Sequence, residues 1–76
     1  LYPNPTSDGS FSIKTPNLTG DVRVRITNML GQNIYDRNLI IESNQIQVNP
    51  ESLSSGVYLV DFIHTNHSFT SKLIVE

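Results

Sequence analysis

The stretch Asp21-Val22-Arg23-Val24-Arg25-Ile26-Thr27 decides the fold. Val22, Val24 and Ile26 recur at every second position, with Arg23, Arg25 and Thr27 between them and after them. Side chains on a strand alternate between its two faces, so this spacing gathers three aliphatic groups on one side and leaves the other polar. β-branched side chains pack well on a pleated surface and lose rotamer freedom in a helix. The stretch therefore reads as a half-buried strand, and a strand needs partners.

The chain supplies them in both directions. Downstream, Asn28-Met29-Leu30-Gly31 is a turn whose glycine takes a backbone shape that other residues resist. Over residues 32–41 the apolar positions Ile34, Tyr35, Leu39, Ile40 and Ile41 hold no single parity; a bulge or bend between two short strands would account for that. Gln45-Ile46-Gln47-Val48 alternates again and Pro50 closes it. Leu53, alone in a polar loop, is expected to lid one end of the core. Residues 57–64 carry apolar groups on both parities and read as a central strand, with Tyr58, Val60 and Phe62 toward the core and Asp61 interrupting the opposite row. Thr65-Asn66-His67 turns the chain, and residues 69–75 return with Phe69, Ser71, Leu73 and Val75 on one side. Upstream, Pro16, Asn17 and Gly20 mark a break, and Phe11 and Ile13 share one face of a short strand. Residues 1–9, with Pro3, Pro5 and Asp8-Gly9, form an extended or turned lead-in.

Six or seven short strands, regular turns and no helical period predict an all-β fold, a small antiparallel β-sandwich, in a single domain over residues 1–76. Its inner faces would be built from Phe11, Ile13, Val22, Val24, Ile26, Ile34, Ile46, Val48, Leu53, Tyr58, Val60, Phe62, Leu73 and Val75. A chain of 76 residues exposes roughly 4,700 Å² when folded. That leaves little volume for an enclosed cofactor and a deep cleft beside a core.

Composition narrows the function. Charged residues make up 16% and the net charge is -2, below the roughly 25% charge of an ordinary globular chain. No basic footprint for a nucleic-acid backbone or an anionic lipid surface results. No apolar run approaches the roughly 20 residues of a membrane span. The absence of cysteine is compatible with any compartment. A start at Leu1 rather than Met suggests a piece of a longer protein.

Nothing in the chain spells a catalytic set. Asp8, Asp21, Asp36, Glu42, Glu51, Asp61 and Glu76 are scattered, and local spacing places no pair for acid–base work. Asp61 reads as a satisfied acid at a sheet edge or a cross-strand partner of Lys72. His64 and His67 bracket a loop but lack the further ligands that a stable metal site needs. Ser52, Ser54 and Ser55 lack the glycine-flanked form of a nucleophile elbow. Lys14, Arg23, Arg25, Arg37 and Lys72 form no phosphate loop. Asn17-Leu18-Thr19 and Asn66-His67-Ser68 match the glycosylation pattern, as an Asn-, Ser- and Thr-rich chain does by chance. No enzyme activity, no cofactor and no metal are expected.

Four segments carry a resemblance. Tyr2-Pro3-Asn4-Pro5 followed by Phe11-Ser12-Ile13 resembles the opening of the C-terminal sorting domains of Bacteroidetes proteins exported by the type IX (Por) system. Val24 and Ile26 running into Asn28-Met29-Leu30-Gly31-Gln32 resembles the family's strand and turn glycine, with Gln32 where a basic residue is usual. Leu53-Ser54-Ser55-Gly56-Val57-Tyr58-Leu59-Val60 is similar to its leucine, glycine and tyrosine block, and Ser71-Lys72-Leu73-Ile74-Val75 to its lysine-containing last strand. Their order covers nearly the whole chain.

The resemblance implies an immunoglobulin-like sandwich at the end of a cargo protein, with Tyr2, Pro3, Asn4, Pro5, Gly31, Gly56, Tyr58, Lys72, Leu73, Ile74 and Val75 as the sorting-motif residues. It implies a cargo domain upstream in the same chain, an outer-membrane translocon as partner, and a sortase-like cysteine peptidase that removes the domain. The path would run through the periplasm to the cell surface. Exposed strand edges are natural docking places for such partners. The alternative is a fibronectin- or immunoglobulin-like accessory module of a multidomain extracellular enzyme, since a fold does not fix a function.

Overall fold

In the computed structural model the described residues are 2, 6–51, 53–65 and 67–76. The period-two segments become strands β1 (Phe11–Lys14), β2 (Asp21–Asn28), β3 (Asn33–Ile40), β4 (Gln45–Val48), β5 (Gly56–Ile63) and β6 (Ser68–Val75). They form two antiparallel sheets: a pair, β1-β4, and a four-stranded sheet in the order β3-β2-β5-β6. The chain crosses between sheets after β1, β3 and β4, which is the Greek-key connection of an immunoglobulin-like sandwich.

The inner faces close on each other as the alternation requires. Val22, Val24 and Ile26 of β2 lie buried against Tyr58, Val60 and Phe62 of β5 and Leu73 and Val75 of β6, and Phe11, Ile13, Ile46 and Val48 come down from the pair. β5 is central, paired with β2 on one side and β6 on the other. Leu53 is half-buried against the core, and the position where a Cβ would stand on Gly9 is 3.0 Å from its side chain.

Two expectations change. β3 is one continuous strand, and its irregularity is a register shift: Ile26 faces Tyr35 while Thr27 faces Asn33, so Ile34 is the extra residue. The bulge turns Ile34 out of the core, leaving it 41% exposed; Tyr35 and Leu39 pack on the core instead. The second change is at Asp61, which is a satisfied acid as expected but stands on a central strand rather than at a sheet edge. Its carboxylate accepts a hydrogen bond from Thr70 at 2.7 Å and pairs with Arg25 at 3.5 Å.

The lead-in is tied to both sheets. Tyr2 pairs with Ser12 of β1 in antiparallel sense, and Thr6 pairs with Val75 of β6 in parallel sense.

Candidate functional site

The terminal strand β6 lies at the edge of the four-stranded sheet. Its alternation divides in two the residues that the resemblance marks on it. Leu73 and Val75 are buried in the core, whereas Lys72 and Ile74 face outward. Thr6 closes the far end of this edge: its N–H donates to the Ile74 carbonyl at 2.9 Å, and the Glu76 N–H donates to the Thr6 carbonyl at 2.9 Å. The Thr6 hydroxyl in turn donates to the Ser10 carbonyl at 2.9 Å. The terminal strand is thus an edge whose last residues already have a backbone partner.

The other residues that the resemblance marks are mostly builders of shape. Tyr58 is buried, and its hydroxyl donates to the Ser54 carbonyl at 2.6 Å, the geometry of a tyrosine corner. Gly56 lies between these two residues with φ +155° and opens β5 opposite Val75. Gly31 has φ +86°, where a side chain strains the backbone. Its turn is held by Asn28, whose side-chain oxygen accepts the N–H groups of Leu30 at 2.9 Å and Gln32 at 3.0 Å. Those bonds hold Met29 and Leu30 out in solvent, at 66% and 85% exposure. Tyr2 is exposed on the small sheet; its hydroxyl donates to Gln45 Oε1 at 3.2 Å, and the Lys14 ammonium stands 5.7 Å from its ring centroid. Pro3, Asn4 and Pro5 lie outside the described residues.

The outer face of the large sheet is laced by charge. Arg23 holds Asp36 in a two-pronged pair, Nε to Oδ1 at 2.8 Å and Nη2 to Oδ2 at 2.6 Å. Those bonds keep the Asp36 carboxyl at a pKa of about 2. Asp8 is also held below the usual carboxylate range, chiefly by the Ser10 backbone N–H, which donates at 2.9 Å. Burial pushes the Tyr35 phenol up, against the opposing charge of Arg37.

No group of three or more His, Cys, Asp or Glu among the described residues could hold a metal ion. His64 and His67 close the β5–β6 turn through backbone bonds to each other at 2.7 and 3.2 Å, and the His64 ring bonds the Thr19 carbonyl at 2.9 Å. Ser54 supplies a backbone carbonyl to Tyr58, and Ser52 lies outside the described residues. The feature that sequence reading passed over is a pair of open clefts along β3, one of about 790 Å³ against the residues that follow β4 (Asn49, Glu51 and Leu53) and one of about 550 Å³ against β4 itself. The loss of parity at Ile34 was its one trace in the sequence.

Fold and surface together define a small immunoglobulin-like β-sandwich with β3 and β6 at the edges of its larger sheet. The chain belongs to the family of secretion system C-terminal sorting domains, whose model matches residues 1–76. That family is one of sorting signals of the Por secretion system rather than of enzymes. No curated protein matches the chain.

Proposed function

We propose that this domain carries an upstream cargo through the outer-membrane translocon of the type IX system and is then removed by a sortase-like cysteine peptidase at the cell surface. The cargo passes through the periplasm on the way. The observation that carries this reading is the family match along all 76 residues. The division of the motif residues supports recognition of a folded shape: Gly31, Gly56, Tyr58, Leu73 and Val75 build the sandwich, while Tyr2, Lys72 and Ile74 are offered at its surface.

A fusion of the chain to a periplasmic reporter tests the reading. In cells with the secretion system the reporter should reach the surface; in matched cells lacking the translocon it should stay in the periplasm. Equal distribution in both strains would refute the proposal. Lys72→Glu alters an exposed side chain and leaves the core intact, so it should lower surface display without lowering the thermal midpoint by more than a few degrees. Unchanged display would remove Lys72 from the recognised surface.

A further inference from the structure

The two sheets differ in width. The pair β1-β4 faces four strands, so β3 overhangs the small sheet and is its least buried neighbour. Both open clefts lie along this overhang. One is bordered by Tyr35, Arg37 and Leu53, the other by Leu39, Ile46 and Gln47. Together they form a groove along β3, walled by β4 beside Leu39 and by the residues after β4, Asn49, Glu51 and Leu53, beside Tyr35 and Arg37.

That edge of β4 has backbone groups to offer. Ser12 directs both its N–H and its C=O to Tyr2, at 2.7 and 2.9 Å. In an antiparallel ladder, opposed residues turn both backbone groups either toward each other or away from each other. Gln47, the register partner of Ser12, therefore turns its N–H and C=O away from β1, to the side where β4 has no strand among the described residues. Gln45, two residues earlier, is already taken by Glu42 through reciprocal bonds of 3.1 Å. An incoming strand would find its first free partner at Gln47 and continue past Asn49.

The floor of the groove sets what side chains would suit it. Tyr35, Arg37 and Leu39 oppose the inward-facing Ile26, Val24 and Val22 in register, so they share the inner face at period two. Tyr35 and Leu39 are half-buried. Arg37 lies between them with its guanidinium 5.8 Å from the Tyr35 ring centroid; Asp36 and Glu51 border the same cleft, but Asp36 is held by Arg23, and among the described residues Arg37 makes no ion pair.

We propose that this groove binds an extended segment of a protein of the secretion machinery, with apolar, acidic and apolar side chains at alternate positions, as a strand added to the open edge of β4. The apolar groups cover Tyr35 and Leu39, and the carboxylate meets Arg37. Backbone bonds supply affinity and the alternating side chains supply selectivity. The inference rests on the sorting reading for the origin of the segment, while its chemistry comes from the groove alone.

The test titrates the isotope-labelled 76-residue chain with the capped peptide Thr-Val-Thr-Asp-Thr-Val-Thr and follows amide resonances. Gln47, Asn49, Tyr35 and Leu39 should move. Arg37→Glu should weaken binding at least about threefold, the scale of one exposed charge pair, and the same peptide with a central Lys should prefer that variant. Arg37 is exposed, so the variant should keep the dispersed spectrum of a folded chain. Shifts confined to β6, no shift at all, or concentration-dependent shifts without peptide, as a second copy filling the groove would give, would each overturn the proposal. Translocon-dependent export of the wild-type reporter would in those cases leave the sorting reading standing.

Discussion

Asp36 shows how one surface pair makes stability depend on pH. Its folded pKa of about 2 lies below the ordinary 3.8 because Arg23 binds the ionised form. A depressed carboxylate contributes stability that is present above its unfolded pKa and is lost as pH falls through the folded value. The Asp36 contribution should thus fade between about pH 4 and pH 2. Asp36→Asn should flatten the fall of the thermal midpoint across that window relative to the parent; parallel curves would contradict it. The two buried threonines test hydrogen-bond satisfaction. Thr15 is 2% exposed, and its hydroxyl has no partner among the described residues. A buried unpaired hydroxyl costs about 1–3 kcal/mol, so Thr15→Val should stabilise the domain by about 1 kcal/mol. Thr6→Val should cost about as much, since it removes a made bond to Ser10. Thermal unfolding of both variants would reveal whether the signs are opposite.

At the scale of the strand, backbone phase divides β3. The Ile41 N–H donates to the Gly20 carbonyl at 3.0 Å, so odd-numbered residues Tyr35, Arg37 and Leu39 turn their backbone groups to β2. Asp36, Asn38 and Ile40 turn theirs outward, at an edge that no strand of the described residues covers. Hydrogen exchange should be fast at Asp36, Asn38 and Ile40, slower at Arg37 and Leu39, and slowest in β5, which is bonded on both sides. Uniform protection along β3 would mean that its edge is covered in solution. The same division explains what the sequence could disclose. β2 was legible because burial of one face forces an unbroken alternation, and β5 because a run of apolar residues on both parities marks a strand inside a sheet. β3 was not, because one extra residue at Ile34 inverts the parity, and an overhanging strand has no covering layer to enforce a pattern. The groove is a difference in width between two sheets, and local alternation carries no record of how many strands a sheet contains. The residues that the family likeness marks could be named from the sequence, but their division into core and surface needed the register.

For the whole molecule, the last strand belongs to the core as much as to any recognition event. A domain of 76 residues carries about 4–11 kcal/mol of stability. Leu73 is fully buried and Val75 is 3% exposed, and a buried Leu→Ala change costs about 2–5 kcal/mol. Removing residues 72–76 deletes both side chains, the β5 ladder partners of Gly56, Val57, Tyr58 and Leu59, and the bond between Glu76 and Thr6. Those losses equal or exceed the stability available, so the truncated chain should lose its dispersed amide spectrum and its cooperative melt. Leu73→Ala should keep the fold at low temperature with a thermal midpoint about 10–25 °C lower. A truncated domain that still melts cooperatively near the parent temperature would show that β6 is an appendage to the sandwich. Loss of export on truncation would then report a missing recognition element; with the domain unfolded, the same loss reports a missing fold. The exposed variant Lys72→Glu separates the two, because it changes what a partner touches and leaves Leu73 and Val75 in place.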